Sequence, residues 1–199
     1  MIEARPYPWP YDGRLELDRL ALVLIGPQGI LRKLDPGQRV TRVCEDLLRG
    51  ARRTAAKPMM VRYGRAGGAQ GGSLLIPETG TSDWEFIPEL APMRGELVID
   101  APTLDVYHAT ALDLTLQRAG IKYLIFCGFR TETAVYATLA TANDLGYDCL
   151  SVEDACAGVA PELHTAVSRM IQNMPGIYGV VSQASRVIEA LGAPDRSAQ

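Results

Sequence analysis

Tyr123-Leu-Ile-Phe-Cys-Gly-Phe-Arg-Thr-Glu-Thr-Ala-Val-Tyr-Ala-Thr138 sets the architecture of this chain. Tyr123 to Cys127 is a short continuous apolar run, the pattern of a strand covered on both faces, and Thr131 to Leu145 then reads as a helix. Downstream the alternation repeats: strand Cys149 to Val152, helix Pro161 to Met174, strand Ile177 to Ser182, helix Gln183 to Leu191. Upstream, Leu20 to Ile25 is another doubly covered strand, ended by Gly26-Pro27-Gln28-Gly29. Asp35-Pro36 opens a helix in which Val40, Val43, Cys44, Leu47 and Leu48 recur at helical spacing. Strands follow at Met59 to Tyr63 and Glu96 to Asp100, then a helix at Thr110 to Ala119. Strict alternation predicts an α/β fold with a parallel sheet and helices on both faces, and ligands on such sheets bind at the carboxyl ends of the strands.

The remaining segments carry less. Tyr7-Pro-Trp-Pro-Tyr-Asp-Gly13 belongs to a proline-rich arm, residues 1–18, expected to run extended over a surface with Tyr7, Trp9 and Tyr11 as anchors. Residues 19–192 form the domain and 193–199 a tail. Gly64 to Ser73 reads as a glycine-rich connection that lacks the spacing of a phosphate loop.

Of the 199 residues 47% are hydrophobic and 22% charged, and the net charge of −3 comes without a basic stripe. One globular domain is therefore expected, with no nucleic-acid surface. The apolar runs are too short to cross a bilayer and Met1 to Pro10 holds no apolar signal core, so the expectation is a cytoplasmic protein that does not enter membranes. Cys44, Cys127, Cys149 and Cys156 form no CxxC pair; buried, reduced thiols are expected, with no metal and no disulfide framework.

Three segments resemble the isochorismatase-like cysteine hydrolases. Leu22-Val-Leu-Ile-Gly-Pro-Gln28 is similar to the strand that runs into an Asp-x-Gln, Glu96-Leu-Val-Ile-Asp-Ala-Pro102 to the segment in which Lys precedes Pro, and Gly128 to Thr138 to Gly-x-x-Thr-x-x-Cys-Val-x-x-Thr. The arm Tyr7 to Gly13, together with Trp84 to Leu90, Ala142 to Tyr147, Glu153 to Ala157 and Gly176 to Ser182, resembles the branch of biuret hydrolase and ureidoacrylate amidohydrolase. The resemblance implies a three-layer α/β/α, Rossmann-like fold on a six-stranded parallel sheet. It also implies no cofactor, and a homo-oligomer, dimer or tetramer, with sites near subunit contacts.

Carried over singly, the family's base falls on Gly26, its Lys on Ala101 and its nucleophilic Cys on Ala134. None of these side chains donates, accepts or attacks, so a thioester mechanism has neither nucleophile nor base. The loops Gln28 to Pro36 and Arg65 to Ser73 are also shorter than those of the relatives. The resulting expectation is a catalytically silent pseudoenzyme that binds a small molecule, or partners a catalytic paralogue or pathway enzyme. The alternative is a repurposed enzyme acting on a small amide, ureide or biosynthetic intermediate, with His108, Tyr107 and Glu132 as substitute catalytic residues. Candidate ligand-binding residues are Gln28, Asp100, Asp105, Tyr107, His108, Arg130, Thr131 and Thr133. His164 reads as part of a solvated helix face, Cys127 as an inert strand thiol, and Asp154 as a turn or cap residue after the fifth strand.

Overall fold

A computed structural model describes residues 1–35, 37–65 and 76–192. Six parallel strands form one sheet: β1 Leu20–Ile25, β2 Lys57–Tyr63, β3 Leu97–Ala101, β4 Tyr123–Phe129, β5 Asp148–Ala157 and β6 Val180–Ser182. Their spatial order is β3-β2-β1-β4-β5-β6. The order reverses between β1 and β4, which places a crevice at the carboxyl ends of these two strands.

All six residues of β1 and all seven of β4 are buried, as the unbroken apolar runs predict. Alternation along β1 feeds two separate cores. Leu20, Leu22 and Leu24 pack with Cys44, Leu47, Leu48 and Val187, while Ala21, Val23 and Ile25 pack with Leu116, Leu139 and Ile171. The first face is therefore covered by helices α2 (Arg39–Arg52) and α6 (Ala184–Ala190), and the second by α3 (Leu112–Arg118), α4 (Tyr136–Asp144) and α5 (Pro161–Asn173). A single turn of helix, α1 (Leu31–Leu34), precedes α2.

The Asp35 carboxylate starts α2 by accepting the N–H groups of Arg39 (2.9 Å) and Thr41 (2.9 Å), donors that lack intrahelical partners. Pro36, read from sequence as part of that start, lies outside the described residues, as do most of the glycine-rich connection and the tail 193–199.

Three expectations need correction. Glu153, Asp154 and Cys156 lie inside β5, which runs on to Ala157; the pairing jumps from Phe126↔Ser151 to Gly128↔Cys156, so extra residues are absorbed by an irregularity in the strand. The helix read as starting at Thr131 begins with a π turn, Thr131–Val135, before α4. The arm does more than cross a surface: Trp9 is fully buried in the first core, Ile2 pairs with Trp9, and Arg5 pairs antiparallel with Val181 of β6. Tyr7 is half-buried against that core, whereas Tyr11 is 79% exposed and anchors nothing through its ring except an edge contact with Tyr7.

Candidate functional site

The crevice between β1 and β4 is built from Gly26, the turn Phe129–Thr133 and the end of β2. Gly26 has φ +66°, a left-handed conformation that favours glycine. A Cβ there would stand 2.5 Å from the Phe129 carbonyl oxygen and 2.9 Å from Tyr63 Cε1, so the space beside the backbone is taken by the chain itself. Ala134 is fully buried in the second core and Ala101 nearly so. The three positions that sequence assigns to the family's base, Lys and Cys thus sit at the carboxyl ends of β1, β3 and β4, closed over by packing.

The Tyr63 ring closes over Gly26, and Arg130 lies beside that ring. Tyr63 ends β2 and is 2% exposed; Arg130 follows β4 and is 4% exposed. Burial raises the Tyr63 phenol above its usual range, and the Arg130 guanidinium beside the hydroxyl pulls the other way by favouring phenolate, with Glu132 adding to the rise. Arg130 thus lies beside the Tyr63 hydroxyl, with Glu132 near enough for its charge to be felt there. Five buried side-chain polar atoms lack a protein partner among the described residues, and three of them, Arg130 Nε, Glu132 Oε2 and Thr133 Oγ1, fall in this one turn. Buried polar groups are normally paired, so that concentration separates the turn from an ordinary strand-to-helix corner.

Neighbouring elements fix the turn in place. Glu132 Oε1 accepts the Val159 N–H at 3.2 Å, and its Oε2 presses against Gly158, where a Cβ would come within 2.2 Å. Thr131 Oγ1 is 2.8 Å from His164 Nδ1, which contradicts the reading of His164 as a solvated helix position. Burial lowers the His164 pKa, Glu153 and Glu132 counter it, and Arg39 adds to the lowering. Spacing along α5 gave no hint of this bond, because it joins residues 33 apart.

Other sequence candidates are not brought to the crevice. The Gln28 amide is wholly buried and spent on structure: Nε2 donates to the carbonyls of Tyr63 (3.0 Å) and Trp84 (2.9 Å), and Oε1 accepts the Tyr63 N–H (3.0 Å). Asp100 is exposed and forms a bidentate pair with Arg62 at 2.6 and 3.1 Å. Asp105 accepts the Tyr107 N–H (3.0 Å) and the Thr141 hydroxyl (2.9 Å), so it organises its own loop. The Tyr107 ring stacks on Tyr147, 6.4 Å between centroids, and burial near Tyr147, Cys149 and Asp113 drives its phenol pKa upward. Tyr147 and Cys149 stand at the amino end of β5, so Tyr107 faces away from the crevice. His108 lies exposed in the same loop.

Asp154 lies within β5 and not in a turn after it, yet it accepts the Ala184 N–H at 2.7 Å and so caps the start of α6 from the neighbouring strand. The four thiols are buried. Cys127 packs in the first core, on the opposite sheet face from Ala134, and burial pushes the Cys149 and Cys156 thiols up, away from reactive thiolate. Beside the crevice lies a cavity of about 330 Å³ bordered by Tyr63, Arg65, Ile76, Pro102, Leu104 and Asp105, so of the sequence candidates Asp105 lines this neighbouring cavity. No helix among the described residues is long and apolar enough to cross a membrane.

Comparison with known proteins bears on the family and the fold. A solved cysteine hydrolase from Pseudomonas syringae pv. phaseolicola 1448A superposes with a TM-score of 0.81 at 18% identity, covering 96% of this chain and 97% of that one, which establishes the shared fold. An isochorismatase from Pseudomonas putida KT2440 superposes with a TM-score of 0.71 at 27% identity, covering 86% of this chain and 91% of the other. The ureidoacrylate amidohydrolase RutB of Pantoea ananatis (strain LMG 20103) is 32% identical over 142 residues, 71% of this chain and 55% of the relative. The uncharacterised isochorismatase family protein YwoC of Bacillus subtilis (strain 168) is 36% identical over 104 residues, 52% of this chain and 53% of the relative. The chain spans about half the length of these curated relatives. The model of the isochorismatase domain matches residues 21–190, and with the six-stranded parallel sheet and the RutB-like sequence this shows that the chain belongs to the isochorismatase family.

Proposed function

We propose that this family member has given up amide hydrolysis by an attacking thiolate and acts through recognition, as a ligand-binding subunit or as a partner of a catalytic paralogue or pathway enzyme. The observation that carries the reading is Gly26: its left-handed backbone and the contacts at 2.5 and 2.9 Å leave no room for the carboxylate a base requires. Ala134 adds no nucleophile, and Tyr107 and His108, the substitutes that the sequence offers, are stacked elsewhere or exposed. The unpartnered polar atoms of Arg130, Glu132 and Thr133 favour binding over an inert scaffold. Arg130, Thr131 and Thr133 are the ligand contacts on this reading. It extends to a homo-oligomer, dimer or tetramer, working in the cytoplasm.

The test is turnover. Purified chain incubated with ureidoacrylate or biuret is expected to release no product, and a Gly26→Asp, Ala101→Lys, Ala134→Cys chain is expected to stay inactive. Saturable hydrolysis by the unmodified chain, lost on Glu132→Gln, overturns the reading.

One observation favours a second reading, a repurposed enzyme. The Thr131 hydroxyl sits 2.8 Å from the His164 imidazole, whose pKa is lowered by burial, which is the pairing of an alcohol with a neutral base. Activity on a small amide or ester that disappears in both Thr131→Val and His164→Gln establishes this reading in place of the first.

A further inference from the structure

The amino-terminal edge of the sheet, opposite the crevice, holds a second cavity of about 330 Å³ between β1, β2, β3 and α3. Its walls are Ala21, Met59, Leu97, Leu116 and Ile121. Four of these are buried members of the second core and Leu97 packs against them, so the cavity is an inlet into the core rather than an apolar patch on a surface. Close packing is the rule inside proteins, and small residues leave this inlet unfilled: Ala21 of β1 packs in the same core as Leu116 of α3, which is only seven residues long, and Ala56 and Gly95 line the rest of the opening.

Two charged residues stand at the rim. Glu96 is spent, since its carboxylate takes a bidentate pair from Arg52 at 2.7 and 2.9 Å and the Met93 N–H at 2.7 Å. Lys57 is exposed, and among the described residues its ammonium contacts only the Asp18 carbonyl oxygen at 3.4 Å, with no carboxylate opposite. With the Glu96 carboxylate neutralised by Arg52, Lys57 is the rim charge left without a counter-ion among the described residues, and a predominantly apolar cavity with such a cation in its lining is complementary to an amphipathic anion.

We propose that this cavity is a binding site for small monocarboxylates carrying one aromatic or branched apolar body, the body held by Met59, Leu116 and Ile121 and the carboxylate by Lys57. The site lies at the other end of the sheet from Gly26 and stands independently of the function proposed above.

Sodium benzoate and benzyl alcohol, titrated separately into the full chain by calorimetry and followed by amide NMR shifts, test it. Benzoate is expected to saturate and to shift the amides of Leu116 and Ile121. Because Lys57 is exposed, its ion pair gives benzoate about a three- to fivefold advantage over the alcohol, which Lys57→Met removes. Thr115→Leu, filling the inlet from α3, is expected to abolish binding of both. Equal affinity for acid and alcohol, shifts that map elsewhere, or no saturation by benzoate overturns the proposal. Self-association of the unmodified chain that a folded Thr115→Leu chain loses also overturns it, by making the inlet a contact between copies. If Thr115→Leu does not fold, the NMR map on the unmodified chain decides alone.

Discussion

Thr131 Oγ1 and His164 Nδ1 are 2.8 Å apart, and this bond ties the π turn that follows β4 to helix α5. The imidazole is half-buried, so its pKa lies below the ordinary 6.5, mainly because burial disfavours the charged ring. The unfolded chain then binds the proton more tightly than the folded one. Stability present above pH 6.5 is lost as pH falls through 6.5 toward the lower folded value. Denaturant melts of the unmodified chain between pH 7.5 and 5 are expected to fall more steeply than those of His164→Gln; parallel curves would remove His164 from the account.

At Gly26 a side chain meets backbone on one side and the Tyr63 ring on the other. Gly26→Asp is expected to cost about 1–3 kcal/mol from the left-handed backbone alone, with the clash added to that. Tyr63→Ala removes one of the two contacts, so the double substitution should be less destabilising than the sum of the singles. Additivity in a double-mutant cycle by urea unfolding would show that the ring does not confine this position.

Gln28 bridges β1 to β2 and to Trp84 through three hydrogen bonds, all buried. Gln28→Leu keeps the bulk but strands two carbonyls and one N–H, at about 1–3 kcal/mol for each group that finds no new partner. A drop of several degrees in Tm is expected; a change under one degree would mean that the bridge contributes nothing.

Two aromatics of the arm give a matched contrast. Trp9 is fully buried and meets Tyr123 edge-on at 5.8 Å, whereas Tyr11 is 79% exposed. Trp9→Ala should cost about 3–5 kcal/mol and Tyr11→Ala stay within about 0.5 kcal/mol. Similar losses in the two variants would show that Tyr11 also anchors the arm.

The sheet was legible in the sequence wherever strands are buried on both faces, because Leu20–Ile25 and Tyr123–Cys127 leave polar side chains no place to stand. β5 was cut short because Glu153 and Asp154 break the apolar run, although the strand carries them through its irregular pairing. The positions Gly26, Ala101 and Ala134 were legible as residue types. What surrounds them was not, since the Tyr63 ring over Gly26 and the His164 bond to Thr131 are contacts between distant segments that no local pattern encodes. Tyr107 and His108 looked promising from chain proximity to Pro102, yet the loop turns them toward Tyr147 and toward solvent.

The antiparallel bridge between Arg5 and Val181 gives the two margins of the sheet different fates. At β6 the arm occupies hydrogen-bonding groups that would otherwise template a foreign strand, while β3 bounds the other margin with no strand of the described residues beyond it. Proteolytic loss of the arm would therefore bare a second adhesive border on a molecule that otherwise has one, and self-association of the clipped chain should begin there.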